Sequence, residues 1–522
     1  MKAFNTAGPC HQDKHYMLDP LVRLPEARGL VERGEYFVVH APRQAGKTTA
    51  LFELAQELNG TGQYAAVRFS CETARVTGDD VGSAELLVLH SIHDAASWNG
   101  MPSECLPPDP WPQDVPGAQL LTGLRDWAAR CPRPLVLLFD EIDTLRGQSL
   151  VSVLRQLSDG FNARPLPFPH SVVLCGMRNV PDCRASLGGD PDRPGTSALF
   201  DISAASLRIG EFSFAQVADL YGQHTAATGQ RFTDDAVRRA FEASRGQPWL
   251  VNSLARDIIE RMRIPPTEPI TGELVERAVE RIIAERGTHL DSLVARLREP
   301  RVRRTLEPVI AGAEGPPDDL SYVRDLGLLT RSGPLRISNP IYEEVTLRFL
   351  GQELLTWSYA EPRRFVRSDG QLDVPALLEE FVTFWKAESA ILDAEPICDE
   401  AAYRLVLMAF LQRVAPSGAY VDREYAVGRQ RVDVMVRKPY TGADGRLAVQ
   451  WSAFELKVRT DESGDPVPAG LEQLDGYLDR LGLDTGTLVV FDRRRAAPPA
   501  AERTRLAEGK TPKGRAVTLL HA

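Results

Sequence analysis

The feature that most limits what this chain can fold into is a junction near its start. The apolar run Tyr36-Phe37-Val38-Val39 leads directly into Ala41-Pro42-Arg43-Gln44-Ala45-Gly46-Lys47-Thr48, and a helical pattern from Thr49 to Leu58 follows. Small residues let backbone N–H groups turn toward a bound anion, and a helix N-terminus adds positive potential, so strand, loop and helix in this order build a phosphate cradle. Lys47 is placed to neutralise β- and γ-phosphates, and the Thr48 hydroxyl to ligate Mg²⁺. Ala41 stands where the motif ordinarily carries its first glycine. Alone, the segment also reads as a Gly-Lys-Thr turn with a surface lysine.

A second element answers it. Leu135-Val136-Leu137-Leu138-Phe139-Asp140-Glu141 is a buried-strand pattern ending in two carboxylates. In a Walker B arrangement Asp140 holds Mg²⁺ through water and Glu141 orients the attacking water. Arg178, just past the apolar run 171–176, stands where a sensor residue reaches a γ-phosphate, and reads almost equally as a surface arginine after a strand. The runs 37–40, 64–69, 135–140 and 171–176 alternate with helical patterns, which implies a parallel sheet wrapped by helices. A Pro-rich stretch at 104–112 interrupts them as a loop.

From 212 to about 286 the pattern turns helical, with Thr233-Asp234-Asp235 as a helix start and Gly246-Gln247-Pro248 as a break. Residues 302–350 read as helices followed by a short hairpin around Ser332-Gly333-Pro334, the outline of a winged helix. An amphipathic helix at 374–391 then joins a second mixed segment of strands and helices. The expected division is 1–207 for the ATPase core, 208–290 for a helical lid, 291–350 for the winged helix, 351–395 for a helical linker and 396–522 for the last domain.

The phosphate loop, Asp140-Glu141-Ile142-Asp143, Gly176-Met177-Arg178 and the Gly246-Gln247-Pro248 break together resemble AAA-like and STAND-type P-loop ATPases over roughly residues 1–350. The resemblance implies an α/β fold with a P-loop NTPase parallel sheet, a helical lid and a winged helix. It also implies ATP and Mg²⁺ as cofactors, residues 41–49 with Asp140 and Arg178 around the nucleotide, and assembly into a homo-oligomer on ATP binding. The segment Tyr16-Met17-Leu18-Asp19-Pro20 is expected near the adenine on the same ground.

Near the other end lie Asp433, in Arg431-Val432-Asp433-Val434-Met435-Val436, and Glu455-Leu456-Lys457. Metal-assisted phosphodiester cleavage needs carboxylates to gather Mg²⁺ and a cation or base to manage the attacking water. If 431–437 and 453–458 are neighbouring strands, alternation puts Glu455 and Lys457 on one face. The bland reading is a pair of amphipathic strands with exposed charges, but Glu455 and Lys457 interrupt an otherwise apolar run, which calls for partners. With Glu400 before them and Gln473 after, these residues resemble the PD-(D/E)xK nuclease superfamily over roughly 396–495. That resemblance implies an α/β restriction-endonuclease-like domain with Asp433 and Glu455 as metal ligands and Lys457 acting on the transition state or the water. Glu400 would complete the metal shell or orient water, and Gln473 would support the site.

Composition narrows the remainder. Seven scattered cysteines without a Cys-x-x-Cys pair argue for free thiols and against structural zinc. Net charge is −10, yet the segment from Pro396 onward is slightly positive, so the C-terminal part is the more suited to a polyanion. Arg423, Arg429, Arg431, Arg437, Lys438 and Arg493-Arg494-Arg495 are candidate phosphate contacts there. No run reaches the length of a membrane span and no signal-peptide core opens the chain, so a cytoplasmic protein is expected. The combined expectation is an ATPase controlling a Mg²⁺-dependent nuclease that acts on DNA, with RNA open, in defence or DNA processing. A scaffold or signalling ATPase with a binding-only C-terminal domain, and a replication-initiator-like loader, are the alternatives.

Overall fold

The computed structural model describes residues 2–176, 203–285, 288–311, 316–354, 365–393, 403, 406–411, 419–427, 430–442, 447–461, 464–494 and 496–522. The chain forms two compact units. One comprises residues 1–285, 320–331 and 338–340; the other comprises 286–319, 332–337 and 341–522.

The first unit is organised by five parallel strands, β1 (Tyr36–His40), β2 (Ala65–Ser70), β3 (Leu135–Asp140), β4 (Ser171–Gly176) and β5 (Ser203–Arg208), in the spatial order β2-β3-β4-β1-β5. β1 and β3 are buried along their whole length, as strands covered on both faces must be. Alternate residues serve the two faces. Phe37, Val39, Val136 and Leu138 pack under Leu51, Leu54 and Leu58 of the helix Lys47–Gly60. Tyr36, Leu135, Leu137 and Phe139 face Val88, Ile92, Leu124, Trp127 and Leu154 from the helices Val81–Trp98, Gln119–Arg130 and Gly147–Asn162. This parallel five-stranded α/β sheet, with the glycine-lysine loop opening the helix after β1, fits a P-loop NTPase fold.

Among the described residues four α-helices follow, Phe214–Thr228, Asp234–Ser244, Pro248–Arg256 and Gly272–Glu285. Ser213 and Gln216 form a capping box on the first, Thr233 caps the second, and Gln247 caps the third with Pro248 in its first turn. Gly246 has φ +75°, and a Cβ there would sit 1.9 Å from the Phe212 carbonyl oxygen, so the break admits only glycine. The N-terminal segment straps onto these helices. Phe4 and Tyr16 pack with Tyr221 and His224, and Trp249 Nε1 donates to the Thr6 carbonyl.

Further on, the helices Thr288–Leu297, Pro300–Ala311, Pro317–Asp325 and Pro340–Leu354 occupy the stretch expected as a winged helix. Among the described residues no strand lies there; Leu329 and Ile337 are single bridge residues. Ser338 N donates to the Leu328 carbonyl and Ser338 Oγ to that of Gly327, so a pinched loop stands where two strands were expected.

The second unit carries a six-stranded mixed sheet in the order β10-β11-β9-β8-β7-β6, from β6 (Tyr420–Val427), β7 (Gln430–Thr441), β8 (Leu447–Arg459), β9 (Thr487–Asp492), β10 (Arg505–Lys510) and β11 (Ala516–His521). β6, β7 and β8 are antiparallel neighbours, whereas β8 and β9 run parallel with the helix Val467–Leu481 between them in sequence. The helix Val374–Asp393 is built into this unit rather than spacing it from anything. Its Leu377, Leu378, Phe381 and Trp385 are buried, and the Trp385 ring lies 5.0 Å from that of Phe491 on β9. No helix among the described residues is long and apolar enough to cross a membrane.

Candidate functional site

Because β1 to β4 are parallel, their carboxyl ends meet at one edge of the sheet, where ligands of such sheets bind. β1 delivers the phosphate loop there. Gln44 and Gly46 take left-handed conformations, with φ +58° and +92°, which turn the loop into the helix that starts at Lys47. Gly46 is also pressed from behind, since a Cβ would come within 2.9 Å of Arg23 Nη2. Arg23 Nη1 donates to the carbonyls of Ala45 and Gly210 at 3.0 Å each, and its guanidinium lies over the Phe212 ring. Burial pushes Arg23 down to about 10, still charged at neutral pH. It ties the phosphate loop to the segment after β5.

Lys47 Nζ donates to the Ala41 and Pro42 carbonyls at 2.8 Å each, bonds that an arriving phosphate can replace. Burial lowers its pKa while Asp143, Asp140 and Glu141 oppose the change. Arg43 and Gln44 are exposed, and Thr48 is half-buried in the first turn. Thr49 is buried and its hydroxyl accepts from Cys10 N at 3.1 Å, so it anchors the N-terminal segment.

Asp140, at the end of β3, is 1% exposed. Its Oδ2 accepts from Arg68 Nη2 at 2.6 Å and Nε at 3.2 Å, while its Oδ1 is buried with no donor. An orphaned carboxylate oxygen in such a place suits a cation or its bound water. Glu141 Oε2 accepts from Ser70 Oγ at 2.9 Å. Glu141 holds φ +58° and ψ +37°, a left-handed conformation that costs a non-glycine residue about 1–2 kcal/mol and turns the side chain out of the strand direction. Arg178 lies outside the described residues.

Two features around the loop were not legible beforehand. His40, the last residue of β1, is 4% exposed, pushed down to about 4 by burial, with Nδ1 unpartnered. Asp325 and Arg331, themselves an ion pair, are close enough to influence it. Gly327 packs so tightly on Pro42 that a Cβ would sit 2.5 Å from Pro42 Cγ. Beside the N-terminal segment lies a cavity of ≈ 570 Å³ lined by Tyr16, Met17, Leu18, Asp19, Gln223 and neighbours. There the Gln223 amide brackets the Met17 backbone, accepting from its N at 3.1 Å and donating to its O at 3.0 Å.

The second centre is in the C-terminal sheet. β7 pairs with β8 through Val434 and Phe454, and Asp433 Oδ2, one residue further on, accepts from Leu456 N at 2.9 Å. Lys457 Nζ donates to Glu455 Oε1 at 2.6 Å, and Glu455 Oε2 is buried without a donor. Burial first and the Asp433 charge second push Glu455 up to about 7, against the pull of Lys457. The helix Val467–Leu481 covers this face. Gly470 lies against Leu488 and the Lys457 stem, and Tyr477 is pushed up to about 12 by burial and then by Glu455 and Asp433. Asp433, Glu455 and Lys457 are thus brought together as the sequence implies. Gln473 is exposed on that helix, four residues before Tyr477, and Glu400 lies outside the described residues. Among the described residues no group of three or more His, Cys, Asp or Glu forms a metal cluster.

Of the basic candidates, Arg437 stacks over Trp451 at 5.6 Å, Arg493 lies 5.9 Å from the Tyr403 ring, and Arg494 is held by Asp492. Lys438 Nζ donates to the Pro439 carbonyl. Arg429 and Arg495 fall outside the described residues, as do the side chains of Arg423 and Arg431.

No protein-family model and no curated protein matches the chain. Among solved structures it is similar to a Walker-type ATPase of Pyrococcus abyssi, at 13% identity and TM-score 0.46 over 66% of this chain and 99% of that one. It is also similar to the RuvB Holliday junction branch migration motor of Thermotoga maritima, at 16% and 0.34 over 60% and 89% of the two chains. The third is the Aeropyrum pernix ORC1 protein in complex with DNA, at 16% and 0.33 over 66% and 93%. These likenesses are too distant to carry an assignment, which rests instead on the strand order and loop geometry above.

Proposed function

We propose that the chain binds and hydrolyses ATP with Mg²⁺ at the carboxyl edge of β1–β4, and that its nucleotide state controls a C-terminal centre that cleaves phosphodiester bonds in DNA. The observation that carries the first half is the buried, donor-free Asp140 Oδ1 at the same sheet edge as a lysine whose Nζ donates to two loop carbonyls. Lys47 exchanges those carbonyls for β- and γ-phosphate oxygens, and the N–H groups of the loop and first helical turn complete the cradle. Thr48 and Asp140 would hold Mg²⁺, which supplies charge neutralisation at the phosphates. Glu141, fixed by Ser70, orients and takes the proton of the attacking water. The cavity against Tyr16–Asp19 suits the base, because Cys10 fixes this segment to the first turn of the phosphate-loop helix.

The second half rests on Asp433, Glu455 and Lys457 meeting on one face of β7 and β8, with Glu455 buried and the other two half-buried. Asp433 and Glu455 would hold Mg²⁺, which there activates water and screens the scissile phosphate. Lys457 leaves Glu455 to meet the charge developing on that phosphate. The test is hydrolysis of ATP and cleavage of plasmid, linear and single-stranded DNA in Mg²⁺ or Mn²⁺. Lys47→Ala should weaken nucleotide binding about 10–100-fold and with it ATP turnover, and Lys457→Ala should abolish cleavage while leaving ATP turnover intact. ATP turnover with no cleavage of any substrate would leave a signalling or scaffold ATPase as the reading.

A further inference from the structure

The phosphate-loop motif assigns no role to β2, yet β2 holds both carboxylates at the end of β3. Ser70 lies opposite Asp140 in the strand register and bonds Glu141, and Arg68, two residues earlier on the same face, bonds Asp140. The Arg68 contact is side-on to a single oxygen, at 2.6 and 3.2 Å, and leaves Oδ1 with no donor. The two partners differ in burial. Asp140 is sealed, while the Arg68 side chain is 25% exposed and can leave without stranding its charge.

A buried, unpaired carboxylate attracts any cation that reaches it, whereas one already paired with arginine presents almost no net charge. Mg²⁺ gives up its water reluctantly and needs several anionic oxygens to compensate. With Arg68 in place, the one charge-neutralised carboxylate cannot meet that need, but triphosphate oxygens added to Asp140 and Thr48 can. Resting on the nucleotide reading above, we infer that Arg68 is a positioning counter-ion. It aims Asp140 Oδ1 at the metal position and closes that position to free divalent cations, so that the metal enters with the nucleotide and not before it.

The test is Mn²⁺ binding to nucleotide-free, full-length protein, followed by the electron paramagnetic resonance of free Mn²⁺. All variants carry Glu455→Gln to silence the C-terminal centre. The parent should show no Asp140-dependent Mn²⁺ site. Arg68→Met should create one, about ten-fold or more tighter than the weakest binding the titration resolves for the parent, the scale of removing one neighbouring charge at a part-buried site. Asp140→Asn should abolish the new site, and Arg68→Lys, which keeps the charge, should behave as the parent. Arg68→Gln provides a second neutral substitution should the methionine variant not fold. Unchanged Mn²⁺ affinity in a folded neutral variant, or a gain that Arg68→Lys shares, would overturn the inference. Failure of the nucleotide reading is separable, since titration calorimetry would then show no ATP binding to the parent protein.

Discussion

Glu455→Gln should make the metal-free protein more stable at pH 8 and leave it nearly unchanged at pH 5. Glu455 is 2% exposed and moves from an ordinary 4.5 to about 7 on folding, chiefly through burial. A carboxyl whose folded pKa is raised contributes its full stability below the unfolded value and loses it as pH climbs through the folded one. The affected window therefore runs from about pH 4.5 to about pH 7. At about 1.4 kcal/mol for each tenfold change in proton affinity, ionising Glu455 in the folded protein costs roughly 3 kcal/mol above that window. Glutamine resembles the protonated acid and escapes this cost. It forgoes the Lys457 contact, but Lys457 keeps 20% exposure and can reach water. The net gain at pH 8 should be about 1–3 kcal/mol, or several degrees in the transition of this unit. Scanning calorimetry of the full-length protein in chelator, from pH 5 to pH 8, reads it directly. Adding Mn²⁺ at pH 8 should restore the wild type and not the variant. Parallel pH profiles for the two proteins, or an equal loss of stability in the variant at both pH values, would refute the electrostatic account.

Lys47→Ala should weaken ATP binding about 10–100-fold, the scale of charge-assisted phosphate bonds, as titration calorimetry reads it, while the far-ultraviolet circular dichroism stays unchanged. Gly327→Ala should displace Pro42, since the new Cβ meets it at 2.5 Å with φ at +79°, and the expected result is a severalfold change in ATP affinity rather than a silent substitution. Burial holds His40 at about 4 against an ordinary 6.5, so its unfolded form takes up protons first and stability falls as pH drops from about 6.5 toward 4. His40→Gln should remove up to roughly 3 kcal/mol of that acid sensitivity, measured as the difference between the two denaturation profiles at pH 7 and pH 4.5.

The readable parts of this chain were those whose physics is local. β1, β3 and β4 announce themselves as short, unbroken apolar runs, and Gly46-Lys47-Thr48 and Asp140-Glu141 follow two of them directly. Glu455 and Lys457 stood out because two charges interrupt an apolar strand. β5 was missed because Ser203-Ala204-Ala205-Ser206-Leu207-Arg208 is too polar to suggest a strand, and only its pairing with β1 makes it one. Arg23, Arg68 and Ser70 owe their places to strand register and to contacts far along the chain, which no spacing rule reports. Tyr477 had a usable signal, one helical turn after Gln473, but the residue expected to support the site stands exposed while its neighbour faces the carboxylates. The hairpin around Gly333 has turn residues suited to a wing, yet the flanking backbone closes on itself through Ser338 instead of extending into strands.

The most direct test of the account is the rate of DNA cleavage by the full-length protein in Mg²⁺, with and without ATP, in the wild type and in Lys47→Ala. Control of the C-terminal centre by the nucleotide site predicts that ATP changes the wild-type rate and leaves the Lys47→Ala rate where it is without nucleotide. Cleavage that proceeds at one rate in all four conditions would contradict that coupling, and the absence of cleavage in all of them would contradict the nuclease.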